Sequence, residues 1–290
     1  MNSKKKTILI TGASGFLGRN LIKKLIANNN FNIIGISITP EKILDLEKKV
    51  KFWKKNINSK IFLKCIDIVT DLFELERLFV NNQIDYVIHA AALKYMDFST
   101  DNNVKAIETN IVGTLNLTKL SHKYNVENFI GISTDKANQA INSYGMTKYL
   151  TEKIVEHYDY SVYQGVNFFW SDGSVLDIWN KQIKRNHELF ITNFDQDRYY
   201  VDIDVVAKDL IDNLTNKNKI IVPSTIYKIK LLDLFTKFIE YMNYDKNKVK
   251  IIGDRVNEKL CEELINENYN IEEINIKEKL RYTIENIDVN

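Results

Sequence analysis

Short apolar runs alternate with stretches of helical spacing through the first half of the chain. Thr7-Ile-Leu-Ile-Thr11, Asn32-Ile-Ile-Gly-Ile-Ser37, Ile61-Phe-Leu-Lys-Cys-Ile-Asp67, Asp85-Tyr-Val-Ile-His89 and Asn128-Phe-Ile-Gly-Ile-Ser133 each predict a short buried strand, apolar and rich in β-branched residues. Between them the apolar positions fall at three- and four-residue steps: Leu21, Ile22, Leu25 and Ile26, then a long amphipathic helix over 103–124, then Leu150, Ile154 and His157 after Tyr144. Strands alternating with helices predict βαβ units and a doubly wound parallel sheet of the α/β class. Ligands of such sheets lie at the carboxyl ends of the strands, where Gly12, Ser37, Asp67, Ala90 and Ser133 all fall.

The pattern loosens after Tyr160. Residues 164–172 read as irregular, Ser174 as the cap of a helix over 175–186, and 197–201 as a strand opening with an arginine. A helix over 205–214, a strand over 219–222, a helix over 231–242 and a strand from Lys248 follow. The expected organisation is a nucleotide-binding domain over 1–163 and a smaller substrate-binding lobe over 164–290, partly interleaved with it.

Composition narrows the class. In 290 residues, 40 basic side chains face 38 acidic ones, and no lysine block is dense enough for a nucleic-acid or anionic-membrane stripe. No apolar run approaches the ~20 residues of a membrane helix. Cys65 and Cys261 lie far apart, and Cys65 sits in an apolar run that predicts a core thiol in a reducing compartment, the cytoplasm. The four histidines have no ligand spacing, so no metal is expected.

The candidate chemistry begins at Gly12-Ala-Ser14-Gly15-Phe16-Leu17-Gly18, where three of the ten glycines fall between a strand and a helix. That context is a dinucleotide fingerprint of the Rossmann type: glycines admit a pyrophosphate to the backbone, and the helix start offers it free N–H groups. At the end of the second strand, Ser37, Thr39 and Lys42 suit a ribose 2′-phosphate, hence NADP; Glu41 is the one acidic side chain there that fits NAD instead. Asp67 and Ile68 are placed to cover an adenine, or Asp67 to cap the next helix. Ala90 and Ala91 leave room for ribose and nicotinamide, Lys94 points to the same pocket or to solvent, and Asn110 reads as a structural tether. Tyr144 and Lys148, four apart on one helix face, form a pair in which the ammonium lowers the phenol's pKa, with Thr134 placed to hold the same substrate hydroxyl. A tyrosine packed on a lysine stem has the same spacing, so the weight rests on Ser133-Thr134-Asp135-Lys136 just upstream.

These motifs resemble the extended short-chain dehydrogenase/reductase family, and within it the soluble UDP-N-acetylglucosamine 4,6-dehydratases that invert C5. The resemblance is carried by residues 11–18, His89-Ala-Ala-Ala-Leu-Lys94, Ser133-Thr-Asp-Lys-Ala137 with Tyr144-Gly-Met-Thr-Lys148, and Gly253-Asp-Arg-Val-Asn-Glu-Lys-Leu260. It implies a bound, recycled NADP, a UDP-sugar substrate and a homo-oligomer. Tyr144, Lys148 and Thr134 would oxidise C4, and Asp135 with Lys136 would deprotonate C5 and release the 6-hydroxyl. The sugar nucleotide would contact Lys94, Asn167, Ser174, Val175, Arg198, Arg255 and Glu258. The chain departs from the family at 164–175, where Gln164 and Asp172 replace arginines. A UDP-hexose 4-epimerase, a 4-keto-sugar reductase and a catalytically silent NADP-binding protein are the competing readings.

Overall fold

The computed structural model describes residues 5–54, 58–94, 100–185, 188–192, 195–217, 219–253, 259–265 and 269–280. In chain order the elements are β1 (Lys6–Thr11), α1 (Phe16–Asn28), β2 (Phe31–Ser37), α2 (Pro40–Trp53), β3 (Ile61–Cys65), α3 (Leu72–Asn81), β4 (Tyr86–His89), α4 (Thr100–Ala106) and α5 (Gly113–Lys123). They continue with β5 (Asn128–Thr134), α6 (Ser143–His157), β6 (Ser161–Gly165), β7 (Asn167–Phe168), α7 (Val175–Lys184), β8 (Leu189–Ile191) and β9 (Asp197–Val201). The last are α8 (Ile203–Asp212), β10 (Ile220–Ile221), β11 (Ile226–Lys230), α9 (Leu231–Tyr241), β12 (Val249–Ile251) and β13 (Ile271–Glu272).

Seven strands form one parallel sheet in the order β10-β6-β5-β4-β1-β2-β3. Both faces are covered, which is why the strands read as continuous apolar runs. Along β1 the two-residue period sends Ile8 and Ile10 to a core with α1, α2 and α8, and Leu9 to a core with α3, α5 and α6. The fold is therefore the doubly wound α/β sheet that the pattern predicts. Strand order reverses at β1, which pairs with β2 on one side and β4 on the other, so a crevice opens beyond Thr11 and His89.

The second half does not separate cleanly. α8 packs on the first core and β10 extends the first sheet, while β7, β9, β11 and β13 form a second sheet. That sheet, α7 and α9 enclose an aromatic core with Trp170, Trp179, Phe235 and Phe238. Within 164–172, read from sequence as irregular, Gln164 and Gly165 finish the fully buried β6 and Asn167–Phe168 forms β7. Gln164, Gly165, Val166, Phe169 and Trp170 are all buried there, so the segment joins both cores although its apolar residues keep neither a strand nor a helix period. Cys65 departs from expectation as well: it ends the edge strand β3 and is exposed, its Sγ 3.3 Å from the Ile38 carbonyl. On this edge strand Ile61 and Leu63 are only half-buried, and Cys65 at its end is left exposed. Among the described residues no helix is long and apolar enough to cross a membrane.

Candidate active site

The crevice is shaped first by glycine. Gly12 turns the chain at φ +65°, and a Cβ there would lie 2.7 Å from the Ala91 amide nitrogen and 2.8 Å from the Ala90 carbonyl carbon. Only glycine lets the end of β4 close onto this turn. Gly18 serves the same turn from α1, since a Cβ on it would meet the Gly12 carbonyl at 2.3 Å. Gly15 precedes α1 in extended conformation, no side chain caps the first amides, and no acidic residue stands in the first turn. Phe16 and Leu17 open the helix, with Leu17 in the core. The turn and helix start thus fit a pyrophosphate by backbone N–H groups and dipole.

Ser14 and Ser37 meet with their hydroxyl oxygens 2.7 Å apart, joining the turn to the end of β2. Ser14, Arg19, Lys42 and Lys49 line a cavity of about 360 Å³ together with Asp45 and Asp172. Thr39 stands just outside it, as the extended residue before α2. Asp67 and Ile68 turn inward. The Asp67 carboxylate accepts the Val69 amide at 2.8 Å, and Ile68 is buried against Gly113, its carbonyl taking the Asn116 amide at 3.0 Å.

A buried polar chain fixes the end of β4. The Thr114 hydroxyl donates to the Asn110 carbonyl at 2.6 Å, so toward His89 it can only accept, and His89 Nε2, 2.9 Å away, carries the proton. His89 Nδ1 is then the acceptor of the Thr11 hydroxyl at 2.7 Å, and Thr11 Oγ1 accepts the Ala91 amide at 3.1 Å. Burial, aided by the Lys148 charge, pushes the imidazole down to about 3, so it stays neutral. Asn110 lies in a π-type turn over Ile107–Val112 between α4 and α5. Its side chain accepts the Leu93 amide at 2.8 Å and donates to the Leu93 carbonyl at 2.9 Å and to Thr147 at 3.0 Å. The tether expected of Asn110 is real, and it binds the Ala90–Lys94 segment to α6.

At the end of β5, Thr134, Asp135 and Lys136 meet. The Thr134 hydroxyl donates to Asp135 Oδ1 at 2.8 Å, and Lys136 Nζ donates to the same oxygen at 3.1 Å and to Asn167 Oδ1 at 3.2 Å. Asp135 is almost fully buried, and its Oδ2 has no partner. Asn167 is held in turn by donating to the Tyr199 carbonyl at 2.9 Å. Tyr144 is half-buried above this group, in the first turn of α6, which Asn142 caps by accepting the Gly145 amide. Sequence spacing predicts a lowered Tyr144 pKa; the structure reverses that direction. Burial raises the phenol and Asp135 raises it further, against a hydrogen bond with Thr134. Lys148, one turn along and buried, is itself pushed down to about 8 by burial, with Glu152 opposing.

The second lobe brings fewer of the expected contacts. Ser174 accepts the Asp177 amide at 3.4 Å as the cap of α7, beside Val175, and so serves the helix. Arg198, expected at a diphosphate, is buried and donates to the carbonyls of Asp197, Leu260 and Lys259 at 2.9–3.0 Å. Long charged side chains find such carbonyls without any sequence signature. Lys94 lies within electrostatic reach of Asp172 and Asp177. Arg255 and Glu258 lie outside the described residues. Among the described residues no cluster of His, Cys, Asp and Glu has metal-binding geometry.

The sequence alone assigns no site role to His89, Glu152, Gln164 or Asn138. A signal existed for Glu152, which extends the Tyr144–Lys148 step of four by one more turn, and for His89, the polar end of an otherwise apolar strand.

The chain matches a family model described as polysaccharide biosynthesis protein over residues 8–283. It is 32% identical over 290 residues to the uncharacterized membrane protein MJ1061 of Methanocaldococcus jannaschii, covering 93% of this chain and 84% of that one. It is 30% identical over 273 residues to the UDP-N-acetylglucosamine 4,6-dehydratase (inverting) of Campylobacter jejuni, covering 90% and 77%. Identity to a UDP-glucose 4-epimerase of Rickettsia bellii is 27% over 275 residues, with 90% and 77% covered. Among solved structures, Pen from Bacillus thuringiensis superposes with a TM-score of 0.81 at 24% identity, over 92% of this chain and 84% of that one. The UDP-glucuronic acid 4-epimerase of Bacillus cereus, in complex with UDP-glucuronic acid and NAD, gives 0.78 at 19%, over 95% and 96%. Both share the fold described above.

Proposed function

The chain belongs to the polysaccharide biosynthesis protein family, and within it we propose an NADP-dependent sugar-nucleotide 4,6-dehydratase that converts UDP-N-acetylglucosamine to its 4-keto-6-deoxy form with inversion at C5. The observation that carries the proposal is the pair of buried Asp135 and half-buried Lys136 beside Thr134 and Tyr144. Oxidation at C4 alone needs one proton-transfer group; loss of water across C5 and C6 needs an acid and a base more. That pair supplies both. The relative of the same described activity supports the reading.

When bound, the nicotinamide accepts the hydride of C4, returns it to C6, and by its positive charge favours the phenolate of Tyr144. Thr134 holds the C4 hydroxyl and Tyr144 takes its proton, with Lys148 opposing the charge. The ketone acidifies C5. Of Asp135 and Lys136, one removes that proton and the other gives a proton to the 6-hydroxyl, which leaves as water. Reprotonation of C5 from the other face completes inversion. For the cofactor, Gly12, Gly15 and Gly18 would admit the pyrophosphate, and Lys42 with Arg19 and Lys49 would face the 2′-phosphate, against which Asp45 is the unfavourable neighbour. The exposed apolar side chains Val104, Ile107 and Val112, and Met146, Tyr149 and Leu150 on the adjoining α6, suit a second copy of the chain. Its place is the cytoplasm.

Incubation with UDP-N-acetylglucosamine in deuterated water, without added nicotinamide, tests the reading by NMR. The expected product has a 6-methyl group, a 4-ketone and deuterium at C5 in the inverted configuration. A 4-epimer without C5 deuterium would establish an epimerase instead. Turnover only of a keto-sugar with added NADPH would establish a reductase, and binding of NADPH without any turnover a silent binder.

A further inference from the structure

Behind the candidate catalytic lysine lies a buried acid that the proposed chemistry does not use. Glu152 follows Lys148 by one turn of α6, on the same face, and the two are only 5% and 3% exposed. A carboxyl so placed needs partners. Gln164, 1% exposed at the end of β6, donates to Glu152 Oε1 at 3.1 Å. Its amide orientation is fixed by a reciprocal pair with Asn138, each side chain donating to the other at 3.1 Å. Asn138 is itself clasped, donating to the Glu263 carbonyl at 2.8 Å while its own carbonyl accepts Lys259 Nζ at 2.8 Å. The Glu152 carboxyl is therefore held through two amides to both lobes, and both amides are neutral.

We propose that Glu152 is a positioning residue for Lys148: its carboxyl, one turn along α6 on the same buried face, favours the charged ammonium through the dry interior, and the neutral Gln164 orients the carboxyl without competing for its charge. Where the resembled family has arginine, this chain has Gln164, and a guanidinium at that position would take the carboxylate for itself. The charged and titratable groups that face the pair are few, and Glu156 alone opposes this role. Toward Lys148 these are Glu152 and, from β4, the neutral His89. Toward Glu152 they are Lys148 and Glu156 from α6, with Ser133 and Gln164 from β5 and β6. Burial, and with it Glu156, raises the Glu152 carboxyl, while Gln164 and Lys148 pull it back.

The importance of Lys148 rests on the dehydratase reading; its link to Glu152 does not. The test is accordingly made on the protein alone. Lysines are labelled with ¹³C at Cε, the Lys148 signal is assigned by its loss in Lys148→Arg, and its titration is followed by NMR. In the native protein Lys148 titrates near about 8. In Glu152→Gln the midpoint falls by about half a unit or more. Gln164→Leu, which takes away the carboxylate's donor and so favours its neutral form, lowers it as well, and reports the same link should Glu152→Gln fail to fold. A purely structural role would lower the melting temperature of both variants and leave the midpoint in place; an unmoved or raised midpoint in the folded variants overturns the proposal. Failure of the dehydratase reading would show separately, as absence of product in the deuterium experiment.

Discussion

The two lobes reach the same site by different means. The first uses backbone and short side chains: Gly12, the Thr11–His89–Thr114 chain and Asn110 act over bonds of 2.6–3.1 Å in a dry interior. The second reaches across with long side chains that end on carbonyls, Arg198 on Lys259 and Leu260, and Lys259 on Asn138. Short buried groups leave one geometry, which suits a site that must hold reacting atoms to a fraction of an ångström. Long side chains tolerate change in what they hold. The difference implies that damage to the first lobe costs chemistry and fold together, whereas damage to the second costs mainly the contacts that hold it in place.

Lys136 stands where the two meet, on Asp135 of one lobe and Asn167 of the other. Lys136→Met is expected to lower turnover by about 10²–10⁴-fold. If kcat falls while KM holds, the lysine acts in the reaction and not in binding. Asn167→Ala, which removes only the second lobe's contact, should cost much less; equal losses would erase the proposed distinction.

Gly12→Ala tests the first lobe's rigidity. The added methyl sits at φ +65° and within 2.8 Å of two backbone positions that cannot swing aside. A loss on the order of 3 kcal/mol in urea unfolding is expected, together with loss of NADPH binding. In the second lobe, Arg198→Met leaves the Lys259 and Leu260 carbonyls without their donor, at about 1–3 kcal/mol. Cofactor affinity should survive in Arg198→Met and not in Gly12→Ala.

The same contrast decides what could be read from the chain before folding. Glycines at turns and alternation along β1 are local, and they announced the sheet, the crevice and the strand-end positions. The Tyr144–Lys148 step was local too, but its electrostatics were not: burial and Asp135, which no spacing records, raise the phenol instead of lowering it. Exposure of Cys65 follows from β3 being an edge strand, which depends on strand order. Arg198 has the Lys259 and Leu260 carbonyls within reach only because 259–260 folds over it.

His89 offers a pH test confined to the first lobe. Its folded pKa, about 3, lies below the unfolded value of about 6.5. The unfolded chain therefore takes up a proton between these values while the folded one does not, so this contribution is complete above about 6.5 and drains away as pH falls toward about 3. The slope is up to ~1.4 kcal/mol per pH unit. Urea unfolding of His89→Gln at a series of acidic pH values should lack that slope relative to the native chain, although its stability near neutrality should be lower.

The smallest effect belongs to the side-chain ion pair between the fingerprint helix and the loop before α7. Arg19, in the first turn of α1, meets Asp172 at 3.1 Å, and the Asp172 side chain is 54% exposed. An exposed pair of this kind is worth about 0.2–1 kcal/mol and weakens in salt. Asp172→Asn should therefore change the melting temperature little. It should instead strengthen NADPH binding relative to NADH, because Arg19 and Lys42 share a cavity with Asp172 and lose a competing carboxylate. Titration of both nucleotides at low and high salt separates these consequences. If Asp172→Asn destabilises the fold strongly and leaves nucleotide preference unchanged, the loop is a structural buttress, and the second lobe is more tightly built than its long-range contacts indicate.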